Sequence, residues 1–301
     1  MLNLPPVHFT KVDGLRARYV DHGSSGAPLL LLHGIGGSIE AWHRNLAPLA
    51  AQRRTLAIDL PGSGRSDRPV PYPQPTLAFF AGYLQRFLVE IGAADGVFVV
   101  GSSFGGAVAM ELAVRHPQMV RGLVLVSPSG LSTVVAWPLR IASTPLIGEL
   151  VTRPSRASTA RSLRGLVADP TIVTDDEIDA AYTLASLPGA QASFLDLLRI
   201  YCNPLGIKRR ETTRIIGNLP RITVPTLIVW GEQDTILPFA SARPAMQRLP
   251  NAQLILMTGC GHMPYVEAPE RFNRLLADYV QRVETGAWQG NGNFSQDRLD
   301  Y

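Results

Sequence analysis

The chain has 301 residues, 46% hydrophobic and 17% charged, with a formal net charge of +4. That length buries one large core, or a core with a smaller inserted domain. No run reaches the roughly 18 apolar residues of a membrane span. The basic residues are scattered, with no nucleic-acid reader motif beside them, and "IKRRETTR" reads as a solvated helix face. Cys202 and Cys260 are too few for a disulfide framework. "MLNLPPVHFT" has neither a basic n-region nor an apolar h-region, so the expected compartment is the cytoplasm.

In chain order, two short alternating runs flank Asp13-Gly14, a dipeptide that favours a tight hairpin. "PLLLLHG" is a continuous apolar run of the kind buried on both faces. A helical stretch from Trp42 to Ala51 leads to a strand in "RRTLAIDLPG" that ends at Asp59. A helix over Leu77–Ile91 then precedes the strand "GVFVVG". Phe104–Arg115 is helical and is followed by the strand "RGLVLVSP". Buried strands alternating with helices imply a parallel sheet with right-handed crossovers.

From Gly130 to Arg221 the rhythm changes to helical patterns and prolines, with Thr174 a helix N-cap before three acids. Strands resume with "VPTLIVWG" and "AQLILMTGCGH", and a last helix spans Pro269–Val283. The expected organisation is a core of residues 1–129 and 222–284, a helical insert over 130–221, and a loose polar tail over 285–301.

"VFVVGSSFGGAVAMELAV" sets two serines in a glycine-rich bend between a strand and a helix. A nucleophile elbow needs small residues two positions before and two after its serine, because backbone crowds both places. Gly101 and Gly105 satisfy that for Ser103, whereas Ser102 would be flanked by Val100 and Phe104. A serine hydroxyl needs a base, and the base an orienting acid. His262 lies beyond the last apolar strand. Asp234 and Glu232 follow the strand before it, and Asp234 is the better placed, farther past the strand end. Ser103, Asp234 and His262 are therefore the expected catalytic residues. Backbone N–H groups of Ile35, in "HGIGGS", and Phe104 are the expected oxyanion donors. His33 is expected to organise its loop rather than act as a base. Trp137, Leu139, Ile141, Leu146 and Ile147 offer apolar surface for a substrate pocket.

The sequence up to about residue 284 resembles the α/β-hydrolase fold family through "HGIGG", "DLPGSGRSDRP", "GSSFGG" and "WGEQD" with "GCGH". The resemblance implies an α/β fold: a mostly parallel eight-stranded sheet flanked by helices, with a helical cap inserted where the rhythm breaks. A serine at the elbow speaks against the haloalkane dehalogenases and most epoxide hydrolases of this fold, which use aspartate. Carboxylesterases, lipases, lactonases, perhydrolase-type haloperoxidases and C–C hydrolases of ring-fission products remain. The last usually carry a glycine-proline-glycine loop, from which "HGIGGS" departs. No nucleotide-binding glycine motif or metal-ligand spacing is present, so neither cofactor nor metal is expected. The expected function is cofactor-free hydrolysis of a small hydrophobic ester through an acyl-enzyme. C–C hydrolysis is the enzymatic alternative, and a non-catalytic ligand receptor is the rival from another class.

Overall fold

The computed structural model describes residues 2–69, 71–74, 76–242 and 246–297. Asp13 and Gly14, both at positive φ (51° and 79°), turn β1 (Val7–Val12) into β2 (Leu15–His22) as an antiparallel hairpin. The continuous apolar runs become β3 (Leu29–Leu32), β4 (Thr55–Ile58), β5 (Val97–Ser102), β6 (Val120–Val126), β9 (Thr226–Gly231) and β10 (Ala252–Met257). β7 (Cys202–Asn203) and β8 (Gly206–Ile207) form a separate small hairpin.

The main sheet runs β1-β2-β4-β3-β5-β6-β9-β10-β11, with β11 at Asn291–Asp297. β2 pairs antiparallel with β1 and β4, and every later neighbour is parallel. The expected eight-stranded, mostly parallel sheet is therefore present, extended by one edge strand.

Period-two alternation divides the core into two layers. Leu30 and Leu32 of β3, with Val97 and Val99 of β5, face α2 (Thr76–Glu90) and α3 (Phe104–Arg115). Leu29, Leu31, Phe98 and Val100 face α1 (His43–Ala50) and the C-terminal helix Pro269–Glu284.

Between β6 and β9 the chain forms α4 (Trp137–Ala142), α5 (Ile147–Val151), α6 (Arg156–Arg164), α7 (Asp175–Ala185), α8 (Ala190–Tyr201) and α9 (Arg209–Asn218). Thr174 caps α7 as expected, its hydroxyl accepting from the Glu177 N–H. Of the tail expected over 285–301, residues up to Asp297 are described. Trp288 packs edge-on against Tyr279 and its indole donates to Asn251 Oδ1 at 2.9 Å, after which β11 pairs parallel with β10. Without β11, β10 would present an open row of backbone donors and acceptors, an edge that invites pairing. Among the described residues no helix is long and apolar enough to cross a membrane.

Candidate active site

The elbow forms where β5 meets α3. Ser103 sits at φ 53°, ψ −118°, a conformation that costs a non-glycine residue on the order of 1–3 kcal/mol. The two glycines answer a steric need. A Cβ at Gly101 would come within 2.5 Å of the Gly105 carbonyl oxygen, and one at Gly105 within 2.5 Å of the Leu32 and His33 carbonyls. Hydrogen at Gly101 lets β5 and the start of α3 come this close, and hydrogen at Gly105 does the same for α3 and the end of β3.

Strand alternation separates the two serines. Ser102 belongs to the face of Phe98 and Val100, where it hydrogen-bonds the buried Tyr265 phenol beneath the sheet. Ser103, past the strand end, lines a cavity together with Ile35, Phe104 and Leu139.

His262 and Asp234 meet as expected. The imidazole Nδ1 lies 2.8 Å from Asp234 Oδ2, and both residues are buried. The other carboxylate oxygen accepts the N–H groups of Ile236 (2.8 Å) and Leu237 (2.9 Å), whose side chains line the same cavity as Ser103. With both its oxygens held, the carboxylate fixes the ring and assigns the proton to Nδ1, which leaves Nε2 able to accept. Glu232 is exposed, and its backbone N–H is bonded to Met257.

The His262 loop has an anchor that the sequence reading missed. Glu267 accepts N–H groups from Gly261 (2.8 and 2.9 Å) and Met263 (3.2 Å), the residues on either side of His262, and from Ala168 (2.7 Å) in the insert. The His262 N–H donates to the Leu166 carbonyl at 2.8 Å, a second tie to the insert. An acid five residues beyond a loop histidine was the available signal.

His33 is fully engaged. Its Nδ1 bonds the Gly34 carbonyl (2.7 Å) and its Nε2 accepts the Leu60 N–H (3.0 Å), while burial pushes its pKa down. Asp59 is also occupied: it accepts from Ile39 and Arg65 (2.8 Å each) and from Arg18 (3.1 Å), tying the Ile35 loop to the loop after β4. The Gly37 N–H closes on the Gly34 carbonyl at 3.0 Å, which places Ile35 and Gly36 at the corners of a tight turn. Phe104 opens α3, in the first turn where N–H groups have no intrahelical acceptor.

Of the five expected pocket residues, Leu139 lines the cavity. Trp137 (69% exposed), Leu146 (84%), Ile141 and Ile147 face outward. α4 and α5 have six and five residues, too short for a stripe that would tell the inner face from the outer. Missed lining residues include Ser129, Val135, Leu198, Tyr201, Cys202 and Ile207. Burial raises the Cys202 thiol to about 12, so it lines the wall as a neutral group. Among the described residues no charged side chain lines the cavity. Among the described residues no cluster of three or more His, Cys, Asp or Glu is placed to hold a metal ion.

A mostly parallel sheet carrying a strained serine at the end of one strand, and a His–Asp pair beyond two others, is the arrangement of an α/β-hydrolase. A family model described as "Alpha/beta hydrolase family" matches residues 29–275, and the chain belongs to that family. It is 33% identical over 272 residues to the dihydrolipoyllysine-residue acetyltransferase component of the acetoin cleaving system of Cupriavidus necator, covering 90% of this chain and 68% of that protein. It is 31% identical to the 2-hydroxymuconate semialdehyde hydrolase of Pseudomonas sp. strain CF600, over 91% and 93% of the two chains. Among solved structures it is similar to the meta-cleavage product hydrolase of Pseudomonas fluorescens IP01, with TM-score 0.78 and 24% identity over 91% of this chain and 97% of that one. That likeness is one of fold.

Proposed function

We propose that the protein is a serine hydrolase of small, uncharged carboxylic esters. Ser103 Oγ attacks the acyl carbon as its proton passes to His262 Nε2, and Asp234 stabilises the resulting imidazolium through Nδ1–H. The N–H groups of Ile35 and Phe104 receive the oxyanion. Collapse expels the alcohol, which takes the proton from Nε2. Water then attacks the acyl-enzyme, gives a proton back to Nε2, and releases the carboxylic acid and free Ser103. The observation that carries this reading is a strained Ser103 lining a cavity, together with a buried His262–Asp234 pair whose acid accepts the N–H groups of Ile236 and Leu237, which line that same cavity. The helical insert acts as a cap: Val135, Leu139 and Leu198 narrow the cavity and set substrate size.

Hydrolysis of a C–C bond is the second reading, favoured by the 31% identity to 2-hydroxymuconate semialdehyde hydrolase. The wall weighs against it. A ring-fission dienoate carries a carboxylate, and among the described residues no cationic side chain lines the cavity.

Fluorophosphonate labelling of the protein and of Ser103→Ala, with a panel of p-nitrophenyl esters beside a ring-fission dienoate, tests the proposal. Labelling lost with Ser103, and turnover of esters above dienoate, is the expected result. Wild-type protein that neither labels nor cleaves any ester would refute it.

A further inference from the structure

Two neighbouring hydroxyls in the cavity wall make no hydrogen bond to the rest of the described fold. Ser129 Oγ and Tyr201 Oη are both buried, both residues line the cavity with Ser103, and among the described residues neither hydroxyl has a partner beyond a contact with the other. Leaving such a group unsatisfied costs on the order of 1–3 kcal/mol. Most of the surrounding wall is apolar, with Leu139, Leu198, Ile207 and Ile236 among its residues.

Both hydroxyls are held in place. The Ser129 N–H donates to the Ser103 carbonyl at 3.0 Å, which fixes Ser129 relative to the elbow. The Tyr201 ring packs edge-on against Phe104, with centroids 5.5 Å apart at 89°. Room for its phenol comes from Gly130, at φ 89°, where a Cβ would fall 2.6 Å from Tyr201 Oη. Burial holds the phenol protonated, with Ser129 a smaller opposing influence, so it enters the cavity as a donor. The Ser129 hydroxyl can donate or accept. The cavity is small, about 30 Å³.

We infer that Ser129 and Tyr201 form a polar subsite for a hydroxyl on the acyl part of the substrate, making the preferred substrates esters of short hydroxy acids. A hydroxyl fits both partners, since it accepts from Tyr201 and donates to Ser129. A carboxylate does not fit, because the site supplies no cation. This inference rests on the ester-hydrolase reading and narrows its substrate class.

The test compares shape-matched esters in which hydroxyl replaces methyl: ethyl lactate against ethyl isobutyrate, and ethyl β-hydroxybutyrate against ethyl isovalerate. Titrated acid release gives kcat/KM for each. The wild type should prefer the hydroxylated member of at least one pair by about tenfold or more, because a buried site built for a hydroxyl rejects the analogue without it. Tyr201→Phe keeps the ring on Phe104 and should reduce that ratio about tenfold. Ser129→Ala provides the second, smaller perturbation with the same readout. A wild type that reacts with fluorophosphonate yet shows no preference in either pair would overturn the subsite alone. So would variants that slow both members of a pair equally. Failure of labelling and of all four esters would overturn the hydrolase reading with it.

Discussion

Glu267 gives the most demanding test of how the site is built. Its carboxylate receives three backbone N–H groups, two of them flanking His262 and one from the insert at Ala168. Hydrogen bonds to a charged acceptor contribute roughly 1.5–3 kcal/mol each, and partial exposure here reduces that toward the lower end. Glu267→Gln keeps the shape but turns one oxygen into an NH2 that faces donors. A loss of about 2–4 kcal/mol of stability is expected. For a chain of this length that corresponds to a Tm lower by about 3–6 °C, taking unfolding entropy at about 2.1 cal/mol/K per residue. Turnover should fall further than stability alone explains, because a shift of roughly 1 Å in a catalytic group can cost about a hundredfold. Calorimetry gives the first quantity and kcat on a p-nitrophenyl ester, measured well below Tm, the second. Glu267→Asp, whose shorter side chain still accepts, should recover part of both. A Gln variant with wild-type Tm and wild-type kcat would refute the reasoning.

Ser103→Ala should abolish ester turnover, by several orders of magnitude in kcat, while Ser102→Ala should retain most activity and lose only a Tyr265 contact worth about 1 kcal/mol; the reverse ranking would place the elbow one residue away. Asp234→Asn should keep the fold yet cut kcat by about four orders of magnitude, because an amide favours the wrong imidazole tautomer. Glu232→Gln, at the surface, should change kcat little, and equal mild effects of the two would move the acid elsewhere. Burial alone would raise the Glu177 carboxyl, but His43, the Thr174 cap and Arg44 together hold it at about 2. A depressed carboxyl stabilises the fold fully above its unfolded value of roughly 4.3 and loses that contribution as pH falls toward 2. Urea titrations across that window should therefore show a steeper acid loss in the wild type than in Glu177→Gln; parallel curves would refute the assignment.

Local chemistry in the chain was enough to specify the hairpin at Asp13-Gly14, the continuous apolar strands and the cap at Thr174. Each follows from backbone sterics, or from burial on both faces, within a few consecutive residues. The choice of Ser103 over Ser102 was equally local, because Gly101 and Gly105 are required by a backbone approach that any such elbow must make. The preference for Asp234 over Glu232 rested on loop position, and Asp234 is the acid that hydrogen-bonds His262. The inner face of the insert was not legible. α4 and α5 are too short for periodicity to orient them, so apolar side chains such as Trp137 and Leu146 turned out to face solvent. Ser129, Tyr201 and Glu267 acquire their partners across 26, 97 and up to 99 residues of chain, and sequence spacing carries no distance over such separations. The ninth strand depended on tertiary structure for a related reason. A polar, glycine-rich segment has no pattern of its own, and it pairs because the outer edge of β10 offers it unpaired backbone groups.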